Sequence, residues 1–275
     1  MSHSDSKRRN CGLQASLAWL SLFVLLNLSV SLSTSLLAAS ELTVAAASDL
    51  APLEARLASG FERRTGVRPR FSFGSSGTLA RQIENGAPFD VYLSADEKLA
   101  ANLAAKKFVI DPKVYAIGRL VLWSADAQFR SIEKLKSNQV RHIAIANPAH
   151  APYGRAAKEA LEKLGVWKFL EPKIVYGENV RQAFEMARSG NADIAIVAAT
   201  LGGIGAVVLP ANLHAPIRQA GAVVAGGSNP RLGAQFIEYL LSPEGSAILV
   251  SGGLEAPVSD STSPRTTSGR QSPVR

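Results

Sequence analysis

The sequence is poor in the residues that mark most catalytic and metal-binding proteins. Its 275 residues include one cysteine, Cys11, and four histidines, His3, His142, His150 and His214. A single thiol excludes an intramolecular disulfide, and because Cys11 precedes the apolar run it is not a lipobox cysteine, which must follow such a run. The histidines form no H-E-x-x-H pair, no Walker A sequence occurs, and Gly74-Ser75-Ser76-Gly77 is not a nucleophile elbow. Gly202-Gly203-Ile204-Gly205 is too incomplete for a dinucleotide fingerprint. Asp90, Asp96 and Glu97 read as a strand end and helix N-terminal acids rather than as metal ligands or catalysts. A non-enzyme with no cofactor is expected. Aromatic residues are only 7% of the chain, and its formal charge of +8 is spread out rather than gathered into a stripe, so nucleic acid is not an expected partner.

What is present is enough apolar material, 47% of the residues, for one large domain or two small ones. Residues 1–40 read as a secretory signal. Lys7-Arg8-Arg9 is followed by an apolar run from Leu17 to Leu37 and by the small residues Ala38-Ala39-Ser40. Cleavage after Ser40 would release Cys11 with the signal and leave a periplasmic protein; a retained membrane anchor is the alternative. Arg8-Arg9 lacks the rest of a twin-arginine motif, so the export route stays open.

The stretch from Phe71 to Glu97, FSFGSSGTLARQIENGAPFDVYLSADE, organises the remainder. Phe71 and Phe73 alternate as in a strand, the pattern breaks at Gly74-Ser75-Ser76-Gly77, and Leu79 and Ile83 resume with helical spacing. A helix N-terminus that follows a Ser-Ser-Gly turn offers hydroxyls, unpaired N–H groups and the positive end of a dipole, which together suit an anion. The same construction occurs at Leu42 to Ala46 followed by Ser48-Asp49, where either Ser48 or Asp49 is the expected N-cap. It recurs at Ala151-Pro152-Tyr153-Gly154 and at Asn179-Val180, with Gln182 completing a capping box. Val114 to Ser124 reads as one long strand whose Gly118 marks a place to pass between lobes. Ala222 to Ala225 reads as the strand that returns the chain. Alternating strands and helices predict α/β sheets of mostly parallel strands, with ligands at their carboxyl ends.

GSSGTLARQIENGAPFDVYLSADE also resembles the signature of the periplasmic molybdate-binding proteins of ABC importers, and the similarity extends over most of Glu41 to Leu254. The resemblance implies the two-lobed type II periplasmic binding protein fold with an interlobe cleft. Residues 41–118 and 219–255 would form one lobe and 119–218 the other, with 256–275 a disordered tail. It implies a monomer that captures molybdate or tungstate and docks on membrane permease subunits; a receptor of the same fold for sulfate or phosphate is the alternative. Carried over to this sequence, it implies oxyanion contacts from Ser48, Ser76, Tyr153 and the backbone N–H of Val180. These groups would touch the oxygens without ligating the metal atom. Some members carry a tyrosine where this chain has Ala198, and this chain is similar to the group that places it at Tyr153 instead. The Tyr153 phenol is therefore expected on the oxyanion. A cleft made wholly of donors would suit a fully deprotonated oxyanion, whereas a carboxylate there would favour a protonated one such as hydrogen phosphate.

Overall fold

The computed structural model describes residues 41–257. The expected export signal with Cys11 and residues 258–275, nearly all of the expected tail, lie outside them. Two five-stranded mixed sheets with flanking helices make a two-lobed α/β fold. The first half of the chain runs β1 (Leu42–Ala47), a 3-10 turn (Ser48–Leu53), α1 (Glu54–Thr65), β2 (Pro69–Gly74), α2 (Ser76–Glu84), β3 (Val91–Ser94), α3 (Glu97–Ala105) and β4 (Val109–Gly118). After the crossover come β5 (Leu120–Trp123), β6 (Ile143–Ala146), α4 (Pro152–Lys163), α5 (Trp167–Leu170), β7 (Ile174–Gly177), α6 (Val180–Arg188), β8 (Ile194–Ala198), α7 (Ala199–Gly202) and β9 (Val207–Val208). The chain then returns through β10 (Ile217–Val224) and ends in α8 (Pro230–Leu241) and α9 (Pro243–Ser251).

The strand orders are β2-β1-β3-β10-β4 and β7-β6-β8-β5-β9. In each sheet the first three strands are parallel and the remaining two join antiparallel, so each lobe has one edge of parallel strand ends. The period of two in β1 fits its place between β2 and β3. Leu42, Val44 and Ala46 pack with Leu57 and Phe61, whereas Ala45 packs with Leu79, Ile83 and Tyr92. A strand covered on both faces by helices needs apolar residues on both, as LTVAAA supplies except at the half-buried Thr43.

The chain changes lobes at Gly118. The single expected strand from Val114 to Ser124 is two strands in different sheets, and β4 starts earlier, at Val109. A β-carbon at Gly118 would sit 2.3 Å from the Tyr153 hydroxyl oxygen, so only glycine lets the crossover pass this ring. The return also comes earlier than the expected 219. β10 begins at Ile217, paired with Gly118, so the outgoing and returning chains meet side by side at the hinge. No helix among the described residues is long and apolar enough to cross a membrane.

Candidate functional site

Four strand-to-helix turns meet in one pocket, at the carboxyl ends of parallel strands from both sheets. Its wall includes Ala47, Ser48 and Asp49 after β1, Gly74, Ser75 and Ser76 after β2, and Ala95 after β3. The second lobe adds Ala151, Pro152 and Tyr153 at the start of α4, and Val180 at the start of α6. All four residues expected at the site, Ser48, Ser76, Tyr153 and Val180, line this one pocket.

Each turn has a local reason. Ser75 caps α2 by accepting from the Thr78 N–H, leaving Ser76 in the first helical turn with its own N–H free of an intrahelical partner. The Ser76 hydroxyl accepts from the Ala95 N–H at 2.9 Å, and as a hydroxyl it retains one O–H to donate. Asn179 caps α6 by accepting from the Gln182 N–H at 3.0 Å, while the Gln182 side chain accepts from the Glu178 N–H. That reciprocal pair holds the first turn of α6, with Val180 leading it, against the pocket. Pro152 opens α4 at a position that needs no donor, and the N–H groups of Tyr153 and Gly154 follow it in the first turn. Ser48 and Asp49 begin a 3-10 turn whose N-cap is Ala47, with no side-chain capping bond, so neither is the N-cap expected from the sequence. This leaves their side chains for tertiary contacts.

The lobes also touch beside this pocket. The Gly77 N–H donates to the His150 carbonyl at 2.9 Å. The Ser75 hydroxyl lies 2.8 Å from His150 Nδ1, and Arg155 pairs with Asp96. These contacts define a closed cleft.

Residues 42–255 match the family model described as bacterial extracellular solute-binding protein. The chain is 36% identical over 252 residues to the molybdate-binding protein ModA of Azotobacter vinelandii, an alignment covering 84% of this chain and 98% of the relative. The chain belongs to the ModA family. The corresponding protein of Rhodobacter capsulatus is 35% identical over 219 residues, covering 77% of this chain and 87% of the relative. The solved structure of the Azotobacter vinelandii periplasmic molybdate-binding protein superposes with a TM-score of 0.76 at 35% identity, covering 78% of this chain and 99% of that one.

Within this ModA-family pocket two features depart from the reading of the sequence. The first is a carboxylate. Asp49 is fully buried beside Ser48, so the wall is not made of donors alone. Its Oδ2 accepts from Gln219 Nε2 at 2.5 Å and from the Tyr153 hydroxyl at 3.1 Å, and its Oδ1 has no hydrogen-bond partner among the described residues. Burial raises the Asp49 carboxyl from 3.8 to about 6, against the hydrogen bonds from Gln219 and Tyr153, which pull it down. The second is the direction of the Tyr153 phenol. It serves Asp49 and Gln219 beside Gly118, and burial, followed by the Asp49 charge, pushes it well above the ordinary phenol range. The phenol expected on the oxyanion is thus engaged by Asp49 and Gln219 here, while the backbone N–H of Tyr153 stands in the first turn of α4. Gln219 completes this group, with its Oε1 accepting from the Tyr115 hydroxyl at 2.7 Å. The signal that could have found Asp49 is its place next to Ser48 in the first turn. Gln219 is 170 positions away from it and left no comparable trace.

Among the described residues no group of three or more histidine, cysteine, aspartate or glutamate side chains is placed to hold a metal ion.

Proposed function

We propose that this protein captures molybdate or tungstate in the periplasm and passes it to the membrane subunits of an ABC importer. The observation that carries this reading is the convergence of Ser48, Ser76, Tyr153 and Val180, from four separate turns, on one pocket between the lobes. An oxyanion accepts hydrogen bonds over its whole surface, and helix first turns supply N–H groups together with partial positive charge. The ligand comes from the relatives, named as molybdate-binding proteins in two organisms and aligned over most of their length. Tungstate is included because its oxyanion has the same charge and the same acceptors. The protein acts as a binding protein rather than an enzyme, without a resident cofactor, and as a monomer. Cleavage near Ser40 would free it into the periplasm.

Asp49 favours a second reading, a phosphate receptor. A carboxylate beside the pocket can accept a hydrogen bond from an oxyanion that keeps a proton, whereas a fully deprotonated one offers it only repulsion. Titration of the purified protein with molybdate, tungstate, sulfate and phosphate, followed by the fluorescence of Trp123 and Trp167 and by calorimetry, separates the readings. Molybdate and tungstate binding at least a hundredfold tighter than the other two is expected. Equal or tighter binding of sulfate or phosphate would replace the proposal.

A further inference from the structure

The Asp49 carboxylate joins three parts of the chain. It stands in the turn after β1, next to Ser48. Tyr153, in the first turn of α4, reaches it from the second lobe, with its hydroxyl 3.1 Å from Oδ2. Gln219 reaches it from the returning strand β10, with Nε2 at 2.5 Å from the same oxygen and 3.1 Å from the Tyr153 hydroxyl. The directions of these bonds follow from chemistry. Ionised Asp49 can only accept, so Gln219 must turn its amide nitrogen toward it, which turns Oε1 toward the Tyr115 hydroxyl 2.7 Å away. The Tyr153 hydroxyl then accepts from Gln219 and donates to Asp49. The group is fully buried and lies against Gly118, where the chain leaves the first sheet.

We propose that Asp49 is a positioning residue, which through the Tyr153 hydroxyl fixes the first turn of α4 against the Ser48 turn at the hinge and thereby slows release of the bound oxyanion. This rests on the oxyanion-receptor reading above and adds to it a residue of the pocket wall that acts through its neighbours. A charged carboxylate near a bound anion costs affinity by repulsion, so its contribution has to come from the geometry it holds. The partnering of its two oxygens agrees. The one that faces the network takes both hydrogen bonds, and the other takes none among the described residues.

Asn and Ala substitutions at position 49 separate hydrogen bonding from charge, since both are neutral. An asparagine oxygen in the place of Oδ2 keeps both acceptor bonds, and its amide nitrogen takes the place of the unpartnered Oδ1. Alanine keeps neither. Stopped-flow tryptophan fluorescence with molybdate should show Asp49→Asn releasing no faster than wild type and Asp49→Ala releasing about tenfold faster than Asp49→Asn, as the loss of a buried hydrogen-bonded anchor implies. Association rates should stay close together. Tyr153→Phe should accelerate release in the Asp49→Asn background and add little in the Asp49→Ala background, because both changes remove the same link. Equal release from Asp49→Asn and Asp49→Ala, or additive effects of Tyr153→Phe, would overturn the proposal.

A case in which Asp49→Ala does not fold is covered by comparing Asp49→Asn with Asp49→Asn/Tyr153→Phe alone, where unchanged release is the overturning result. Hydrogen exchange without any anion tests the same link at the crossover amides of 118–120. Exchange faster in Asp49→Asn/Tyr153→Phe than in Asp49→Asn is expected, and equal exchange would overturn it. If wild type responds to none of the four oxyanions, the receptor reading fails, while the exchange result still decides whether Asp49 holds the hinge through Tyr153.

Discussion

Gly77, next to Ser76, and His150 link the two lobes, the N–H of the first donating to the carbonyl of the second at 2.9 Å. Glycine is required by this contact. A β-carbon at position 77 would lie 2.7 Å from the His150 carbonyl oxygen, a backbone atom that cannot swing aside. Gly77→Ala should therefore leave each lobe folded and prevent the same closure. Since α2 itself gains from alanine, thermal unfolding of the anion-free protein should change little. Molybdate affinity should fall about tenfold or more, corresponding to the loss of one or two hydrogen bonds made only in the closed state. Calorimetry beside a melting curve checks both halves, and unchanged affinity would mean that the lobes close by another route.

Ser76→Ala should affect both binding and stability. Removing the hydroxyl deletes one donor to the anion, for which roughly 1.5–3 kcal/mol, or about tenfold to a hundredfold in affinity, is expected. It also orphans the buried Ala95 N–H, which now donates to that hydroxyl at 2.9 Å, so stability should fall by about 1–3 kcal/mol. Ser76→Thr, which keeps the oxygen, should restore stability only if the added methyl group finds room in this fully buried position. Denaturant unfolding and molybdate titration of Ser76→Ala measure the two effects separately.

How much of this was legible in the sequence depends on the range of the interaction. Ser76, Val180 and the first turn of α4 were found because a strand period giving way to a helix period marks a turn within ten residues. The pairing of those turns across two lobes has no local period, and the resemblance supplied it. Gly118 marked the crossover, yet the first five residues of β4 were missed because Pro112 and the exposed side chains of Ile110 and Asp111 break the alternation of a half-buried strand. The bonds of the Tyr153 phenol to Asp49 and Gln219 were not legible for the same reason. Its partners, Asp49 and Gln219, lie 104 and 66 positions away, and no spacing rule connects them.

The stability of the protein should fall as pH rises past the Asp49 carboxyl. Its folded value of about 6 lies above the ordinary 3.8, so the folded state binds this proton more tightly than the unfolded state. The stabilisation is complete below about pH 3.8 and is lost as pH rises through about 6. Two units correspond to about 3 kcal/mol at most. Asp49→Asn has no carboxyl to ionise and keeps the hydrogen bonds. Its melting temperature should match that of wild type near pH 4 and exceed it at pH 8. Parallel melting curves across this range, with the difference constant, would show that Asp49 is already satisfied as a charge.

The same proton should couple to the anion. A dianion in the pocket places negative charge beside Asp49, so it binds more readily when that carboxyl is neutral and, once bound, favours the neutral form further. Binding and protonation must help each other by equal factors, since the linkage is reciprocal. Molybdate affinity of wild type should therefore rise as pH falls from 8 toward 6, by up to about tenfold for each proton taken up per unit of pH. Calorimetry in buffers of different ionisation enthalpy should detect net proton uptake near pH 7. Asp49→Asn should bind with a flat profile over this range and without proton uptake. Tyr153→Phe, which removes one of the bonds that hold the carboxyl down, should shift the wild-type profile toward higher pH. A wild-type profile as flat as that of Asp49→Asn would mean that the donors around the anion screen it from Asp49, and the carboxylate would then act on the site only through the geometry it holds.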